Sequence, residues 1–263
     1  MRLFLRSAHI CLALFLVCLA NTPALAHFGM LIPSRSMVNT DAEKDISLDL
    51  LFWHPFTGQG MHLAKPRNFS LFSGEARQDL LSSLKPAQQD GFATWKASYR
   101  AARPGLLAFV MEQEPYWEQT EERFIIHLAK TYVAAFGDGE GWDKPLGLAT
   151  EIIPLCAPYG QYAGNAFQGQ VLVGGKAVPG AMVEVELYSG PGKSGLAPGD
   201  LMITQTVKAD PNGIFTYAAP RAGWWGFAAL SQAEYTLPRD GKERPVELGA
   251  VLWVRFYDML SGF

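Results

Sequence analysis

The sequence predicts an all-β protein made of two β-sandwich domains, Ig-like or jelly-roll-like, after a cleaved signal peptide. Three observations support this prediction. Few segments show a hydrophobic period of about 3.6 residues, short apolar or alternating runs recur throughout, and Gly, Pro, Asn and Asp separate these runs. We expect residues 1–26 to be the signal, residues 27–160 a β-rich metal-binding domain and residues 161–263 a C-terminal β-sandwich.

The first 26 residues have the order of a secretory signal. Two arginines precede an apolar run over residues 10–20, and an A-x-A cleavage site of small residues ends at Ala26. The apolar run is too short for a comfortable membrane span. We therefore expect cleavage after Ala26, with His27 as the first residue of a periplasmic protein that is peripheral to a membrane at most. An uncleaved N-terminal anchor is the alternative.

Charge and cysteine content narrow the function classes. The chain has 22 basic and 25 acidic residues, a formal net charge of −3. Cleavage would remove two basic residues and no acidic one, which leaves 20 against 25 and a net charge of −5. No basic run or stripe is present, so we expect no nucleic-acid partner. Cys11 and Cys18 lie in the signal segment, and Cys156 alone cannot form an internal disulfide.

Apolar runs between turn residues predict the strands. In chain order these are Ile46–Trp53, Asn68–Phe72, Gly105–Glu112, Arg123–Val133, Glu151–Pro154, Ala166–Val173, Ala181–Tyr188, Leu201–Lys208, Gly213–Ala218, Gly223–Ala229 and Val246–Tyr257. The stretch Ala76–Leu84 fits either a helix or a loop. The stretch Gly137–Gly147 is dense in turn formers, which predicts a long connecting loop.

The chain after Phe167 predicts a hairpin of two alternating strands. A turn at Gly174–Lys176 separates Phe167–Val173 from a return strand that runs through Val178–Leu187. The alternation of the return strand predicts one face in the core and one in solvent. The predicted core side chains are Val183, Val185 and Leu187, and the predicted outward side chains are Met182, Glu184 and Glu186.

The four histidines outside the signal, His27, His54, His62 and His127, are the candidate metal ligands. A terminal His27 would offer its α-amino nitrogen and its imidazole to one metal, whereas an internal histidine offers one nitrogen. Imidazoles suit nickel, cobalt, copper and zinc. His54 and His62 flank a turn-rich stretch that can fold them together. The alternatives are a frayed terminus, a buried His54 bonded to backbone, and a surface or inter-sheet His127.

No catalytic motif stands out, and we expect no enzyme activity. The sequence contains no G-x-S-x-G elbow, H-E-x-x-H helix, P-loop or C-x-x-C pair. Five glutamates around Tyr116 and Trp117 suggest either a sugar-binding platform or a solvated acidic loop, and we favour the loop; they are Glu112, Glu114, Glu118, Glu121 and Glu122.

Four motifs resemble a known family of exported bacterial proteins, the nickel transport complex, NikM subunit. They are His27–Ser34, His54-Pro55-Phe56 with Met61 and Pro66, Gly141–Gly147, and Pro158–Asn165. The resemblance implies a NikK-like accessory component of a nickel or cobalt importer of the energy-coupling-factor type. The cargo would be Ni(II) or Co(II), with copper as a further option, and the partners would be the importer's membrane components.

Two further features qualify this resemblance. The chain from Phe167 resembles carboxypeptidase-regulatory-like or transthyretin-like β-sandwiches, which are usually non-catalytic. Cys156 stands where the family more often has a hydroxyl residue. The competing functions are a periplasmic copper-binding protein, a copper oxygenase with a terminal-histidine brace, and a structural or adhesive β-sandwich that binds no metal.

Overall fold

The computed structural model describes residues 27–259, and the predicted signal peptide lies outside them. The described chain is almost entirely β-structure, which confirms the predicted fold class. Its strands are β1 Phe28–Pro33, β2 Met37–Val38, β3 Asp45–His54, β4 Gln59–Met61, β5 Asn68–Ser73, β6 Ala76–Asp79, β7 Lys85–Gln89, β8 Phe92–Arg100, β9 Gly105–Glu112, β10 Tyr116–Glu118, β11 Arg123–Ala135, β12 Thr150–Pro154, β13 Gln161–Tyr162, β14 Ala166–Val173, β15 Lys176–Ala177, β16 Met182–Leu187, β17 Gln205–Lys208, β18 Ile214–Ala218, β19 Gly223–Arg239 and β20 Lys242–Tyr257.

The helices in this part of the chain are single 3-10 turns at Asp41–Glu43, Leu81–Ser83 and Asp200–Met202. No helix of residues 27–259 has the length and apolarity needed to cross a bilayer. The stretch Ala76–Leu84, which the sequence leaves open, contains β6 and the second of these 3-10 turns. The predicted loop Gly137–Gly147 contains no strand.

The strands form three sheets. A central sheet has the order β17-β16-β19-β20-β11-β9-β5-β6, with the short strands β2, β10 and β13 attached. The first outer sheet has the order β1-β3-β8-β7, with β4 paired to β3. The second outer sheet contains β12, β14 and β15, with β18 paired to β14.

The two outer sheets cover opposite faces of the central sheet. Along β20, Val251 and Trp253 pack into a core shared with β1 and β3, whereas Leu252 and Val254 pack into a core shared with β14 and β18. Successive side chains of a strand point to opposite faces. A strand buried on both faces is apolar at nearly every position, which is why Val246–Tyr257 reads as a continuous hydrophobic run.

The central sheet joins the two halves of the chain. Strand β11 pairs in parallel with β20, from Phe124 opposite Val246 to Thr131 opposite Trp253. The Trp253 indole also donates a hydrogen bond to the Gly29 carbonyl at 3.0 Å. The division at residue 160 stays a prediction, but strands from both sides of it share one sheet.

The prediction that the chain after Phe167 forms a hairpin is wrong for its return strand, Val178–Leu187. Strand β14 turns back only as the two residues of β15, and β16 then pairs with β17 and β19 in the central sheet. The Pro179-Gly180 pair interrupts the return strand, so the chain crosses from one layer to the next.

The predicted facing of β16 is right for its valines and wrong for Glu186. Val183 and Val185 are buried, but Glu186 is buried as well. The carboxylate of Glu186 accepts hydrogen bonds from the Phe56 backbone N–H at 3.2 Å and from the Thr204 hydroxyl. The turn after His54 therefore covers a face that we expected to be exposed.

Candidate functional site

The register of β1 and β3 brings two candidate histidines together. The strands are antiparallel, with Phe28 opposite Trp53, so the next pair outward is His27 opposite His54. Their imidazole centroids lie 4.6 Å apart, at an interplanar angle of 46°. His54 is buried, and the side chain of His27 is 19% exposed. The pair therefore lies at one end of the first outer sheet, where an ion from solvent can reach it.

The short strand β10 adds a carboxylate and an aromatic ring to this pair. The Oε2 atom of Glu118 lies 3.4 Å from Nε2 of His27. The ring of Tyr116 is centred 6.1 Å from the His27 ring, and the Phe52 ring stacks on His27 at 5.5 Å. Glu118 is held in place because Oε1 accepts hydrogen bonds from the Thr120 amide and hydroxyl, at 3.1 and 2.6 Å.

The charge states of His27 and Glu118 favour the binding of a cation. Burial lowers the pKa of His27, and this effect outweighs the opposing charges of Glu118 and Glu121. Burial raises the pKa of Glu118, but its hydrogen bonds from Thr120 and the nearby His27 and His54 bring that pKa below its usual value. At neutral pH the site therefore presents the unprotonated imidazole of His27 beside the Glu118 carboxylate.

His127 is a buried neighbour of the pair. Its Nδ1 atom accepts a hydrogen bond from the Gly29 amide at 2.9 Å, so the proton of the neutral ring lies on Nε2. Nε2 has no hydrogen-bond partner within residues 27–259. Burial, and next the charge of His27, lower the pKa of His127 to about 3. His127 is thus an uncharged ring that fixes the β1 backbone two residues after His27.

Glycines make room for the His127 ring. A Cβ atom at Gly29 would lie 2.8 Å from Cβ of His127, and one at Gly249, opposite His127 in the β11–β20 pair, would overlap the imidazole. The ring also meets the edge of Phe52 at 5.7 Å. Of the two alternatives to a metal ligand, a surface or an inter-sheet histidine, His127 is the second, because its ring lies between the central sheet and the first outer sheet.

His62 lies on the other side of β3. It follows β4, which pairs with the edge of β3 away from β1. Its Nδ1 atom accepts a hydrogen bond from the Ala93 amide at 3.0 Å, and its ring lies 5.4 Å from Phe92. The structure therefore groups His27, His54 and His127, and places the exposed His62 against β8.

Glu118 lies beside the histidine pair, and the sequence pattern did not single it out. We interpreted the glutamates around Tyr116 as a solvated loop, but Glu118 is only 9% exposed. Strand β10 pairs with β11, so Tyr116 and Glu118, two positions apart, share one face. If Tyr116–Glu118 had been interpreted as a strand, the alternation of its side chains would have placed Tyr116 and Glu118 on the same face. Cys156 is half-buried beside the core that contains Leu252 and Val254.

Within residues 27–259, no three side chains of His, Cys, Asp or Glu are arranged to hold a metal ion. The arrangement of His27, His54 and Glu118 is therefore a pair of imidazoles with an adjacent carboxylate. The backbone nitrogen of His27 is a further nitrogen at the same place, and it becomes a donor amine only if the chain begins there.

A family model for a domain of unknown function, DUF4198, matches residues 24–233. The chain belongs to the DUF4198 family. The matched region includes all four candidate histidines and Glu118. No curated protein shows significant similarity to this DUF4198 chain.

Several solved structures show distant similarity. The D0-D1 domain of intimin is 12% identical, with 88% of this chain and 100% of that chain covered and a TM-score of 0.24. The Yersinia pseudotuberculosis adhesin InvE is 10% identical, with 84% of this chain and 58% of that chain covered and a TM-score of 0.23. A complex of Dpr11 with DIP-gamma is 11% identical, with coverages of 86% and 98% and a TM-score of 0.21.

Proposed function

We propose that this protein is a periplasmic accessory protein that captures Ni(II) or Co(II) and delivers the ion to a membrane importer. The observation that supports it most is the β1–β3 register, which sets the His27 and His54 rings 4.6 Å apart at an accessible end of the sheet. The motif resemblance to the NikM-subunit family points to the same cargo. In this proposal the protein is a carrier and performs no catalysis.

The donor set suits these ions once the signal is removed. His27 would then supply its α-amino nitrogen and its imidazole, and His54 a second imidazole. Nitrogen donors of this kind suit nickel and cobalt. Glu118 would balance part of the ion's charge, and His127 would act as a positioning residue through the Gly29 amide. His62 contacts β8 and is not part of this set.

The proposed site has a defined pH response. Protons compete with the metal for imidazole nitrogen, so binding falls when the histidines become protonated. Burial lowers the pKa of His27, so its imidazole remains available below the ordinary value of 6.5. The α-amino group has a reference pKa of about 8, so we expect metal affinity to fall as the pH drops below that value, while the lowered pKa of His27 delays the loss of its imidazole.

Equilibrium dialysis with elemental analysis tests the proposal. Mature protein that begins at His27 is dialysed against Ni(II), Co(II), Cu(II) and Zn(II), and we expect one ion per chain. His54→Ala, or one glycine added before His27, should abolish that stoichiometric binding, whereas His62→Ala is the matched control and should retain it. Unchanged binding by the extended form would exclude the terminal chelate. No bound nickel or cobalt in the mature protein would refute the function.

Copper binding is the second candidate, and Tyr116 is the observation that favours it. A terminal histidine, a second histidine and a nearby tyrosine are the groups of a copper brace, and Tyr116 is centred 6.1 Å from His27. Copper generally binds such donors more tightly than nickel, so competition between the metals does not decide the biological role. Oxygen consumption by copper-loaded protein with a reductant, abolished in His54→Ala, would identify an oxygenase.

A further inference from the structure

Two leucines on one loop are the most exposed large apolar side chains of residues 27–259. Leu196 is 96% exposed and Leu201 is 91% exposed, and Met202 beside them is 53% exposed. All three lie in residues 189–204, between β16 and β17, which we call the apolar loop. A single exposed leucine is ordinary, but large apolar side chains concentrated on one loop mark a binding surface.

The apolar loop forms one side of a groove of about 640 Å³. Leu196 and Met202 line this groove together with Leu187 and Trp225, which belong to the core under the second outer sheet. The exposed apolar surface of the loop therefore continues inward to the core.

The charged side chains that line the groove are basic. They are Lys193 and Arg221, both exposed, and neither forms an ion pair with another residue of 27–259. No carboxylate of the described chain lines the groove, although the exposed Asp200 lies in the same loop. Unpaired cations beside exposed leucines suit a bilayer with anionic headgroups, because phosphates attract the cations and acyl chains accept the leucines.

A bilayer fits this loop better than a folded partner does. Leu196 and Leu201 protrude almost free of contact with the rest of the molecule. A protein interface packs as densely as a protein interior, so a folded partner needs a matching pocket for each protruding side chain. Fluid acyl chains close around such side chains without a preformed pocket.

Hydrogen bonds hold the apolar loop against the turn that follows His54. The Ser189 amide donates to the Pro55 carbonyl at 3.1 Å. The Phe56 carbonyl accepts from the Ser189 hydroxyl at 2.7 Å and from the Gly195 amide at 2.6 Å. A Cβ atom at Gly195 would lie 2.5 Å from the Phe56 ring, so the loop packs directly on that ring. The apolar loop is therefore fixed relative to the strand end that carries His54.

We propose that the apolar loop docks on the surface of a bilayer that contains anionic lipid. Leu196 and Leu201 insert among the acyl chains, and Lys193 and Arg221 bind headgroup phosphates. Docking in this way brings the end of β3, with His54, to the membrane. The use of this surface for metal delivery rests on the proposed function, but the docking itself requires no metal.

Vesicle co-sedimentation tests the proposal in the mature protein, treated with EDTA so that no metal contributes. The vesicles contain phosphatidylcholine alone or phosphatidylcholine with phosphatidylglycerol. We expect the protein to sediment with the vesicles that contain phosphatidylglycerol and to bind pure phosphatidylcholine more weakly. Added salt should weaken the binding, because it screens the headgroup charge.

Two double variants separate the apolar and the basic contributions. Leu196→Ser/Leu201→Ser should lower the partition coefficient at least about tenfold on both kinds of vesicle. Lys193→Gln/Arg221→Gln should lower it about tenfold, and only on vesicles with phosphatidylglycerol. All four side chains are exposed, so the circular dichroism of both variants should match that of the unchanged protein.

Matched control variants remove the same kinds of side chain from other exposed positions. Met182→Ser/Tyr235→Ser removes two exposed apolar side chains, and Lys176→Gln/Lys242→Gln removes two exposed charges. Both controls should bind vesicles like the unchanged protein.

The proposal is overturned if the unchanged protein sediments with neither kind of vesicle, or if Leu196→Ser/Leu201→Ser binds as well as the unchanged protein does. Self-association in sedimentation velocity that this variant abolishes, without vesicle binding, would assign the loop to a second copy of the chain and also overturn the proposal. Equilibrium dialysis separates this result from the metal proposal. The leucine variant should still bind Ni(II), and a protein that binds vesicles but no metal would refute only the metal function.

Discussion

His127 and Lys130 lie three positions apart on β11, are equally buried, and face opposite outer sheets. The Lys130 ammonium has the Glu151 carboxylate at 2.9 Å, and that carboxylate is further satisfied by backbone amides. His127 accepts one hydrogen bond at Nδ1, and its Nε2 is without a partner in residues 27–259. Where a buried group has a counter-charge it keeps its own charge, and where it has none it stays neutral.

The same contrast separates the two faces of the central sheet. On the face of His127, the rings of His27 and His54 lie beside the Glu118 carboxylate, an arrangement suited to a metal cation. On the face of Lys130, the ion pair holds the end of the Gly137–Gly147 loop, because Glu151 also accepts hydrogen bonds from the loop amides. One strand therefore borders two different arrangements of buried polar groups.

The largest expected effect comes from breaking the buried ion pair. Glu151→Ala leaves the Lys130 ammonium without a counter-charge, so the free energy of unfolding should fall by about 3–5 kcal/mol in urea denaturation. The double variant Lys130→Met/Glu151→Leu removes both charges and should recover part of this loss, because the amides of Leu146, Gly147 and Leu148 still lack their acceptor. A single variant as stable as the unchanged protein would show that Glu151 does not compensate Lys130.

The glycine under His127 is the next test. Gly249→Ala places a methyl group where the imidazole lies, and should lower the free energy of unfolding by about 1–3 kcal/mol. The same substitution in a His127→Ala background should cost clearly less, because the ring is absent. Equal costs in the two backgrounds would contradict the contact.

The charge state of His127 predicts a pH dependence. Its pKa is about 3 in the folded protein, against 6.5 for an unperturbed histidine, so the folded state binds fewer protons. Its contribution to stability is complete above pH 6.5 and falls by about 1.4 kcal/mol per pH unit as the pH drops from 6.5 toward 3. Urea denaturation of the protein and of His127→Gln over this range should give different slopes.

Two buried carboxyl groups change the stability with pH in the opposite direction to His127. The effect of His127 must therefore be read from the difference between the protein and His127→Gln. Burial raises the pKa of Glu184 and of Glu186 to about 7, so the stability associated with their protonated forms is lost as the pH rises from 4.5 toward 7. Both residues are present in the protein and in the variant. The difference between the two curves therefore reports His127, and parallel curves would contradict its lowered pKa.

The smallest effect is expected from an exposed ion pair. Nη1 of Arg100 lies 2.8 Å from Oδ1 of Asp45, but the two side chains are 60% and 69% exposed. Arg100→Ala should change the free energy of unfolding by less than about 1 kcal/mol, because water screens the pair. A loss as large as that of Glu151→Ala would show that burial is not what distinguishes the two pairs.

Strands with strong apolar patterns were predictable. The runs Arg123–Val133 and Val246–Tyr257 correspond to β11 and β20, the buried centre of the main sheet. Strand β8 was not predicted. Six of its nine residues are polar or aromatic and are not fully buried, so its sequence shows only a weak alternation of apolar and polar residues. The β16 pairing was wrong because alternation identifies a strand and its inner face but not the sheet that it joins.

The candidate site was predictable in its residue types and not in its geometry. The sequence identifies four histidines, but the proximity of His27 and His54 depends on the register of β1, a strand that the pattern did not reveal. Glu118 was one of five similar glutamates, and only the pairing of β10 with β11 distinguishes it. Long-range strand pairing selects among equivalent side chains, and a local pattern contains no information about it.

The position of β20 has a consequence for how the chain is made. This strand, the last one described, lies between β11 and β19, and Trp253 bonds to Gly29 at the other end of the chain. A ribosome must reach β20 before the middle of the central sheet is available, and contacts between distant residues form slowly. The central sheet therefore cannot close while the chain is being made, and β11 waits for its parallel partner until β20 has left the ribosome.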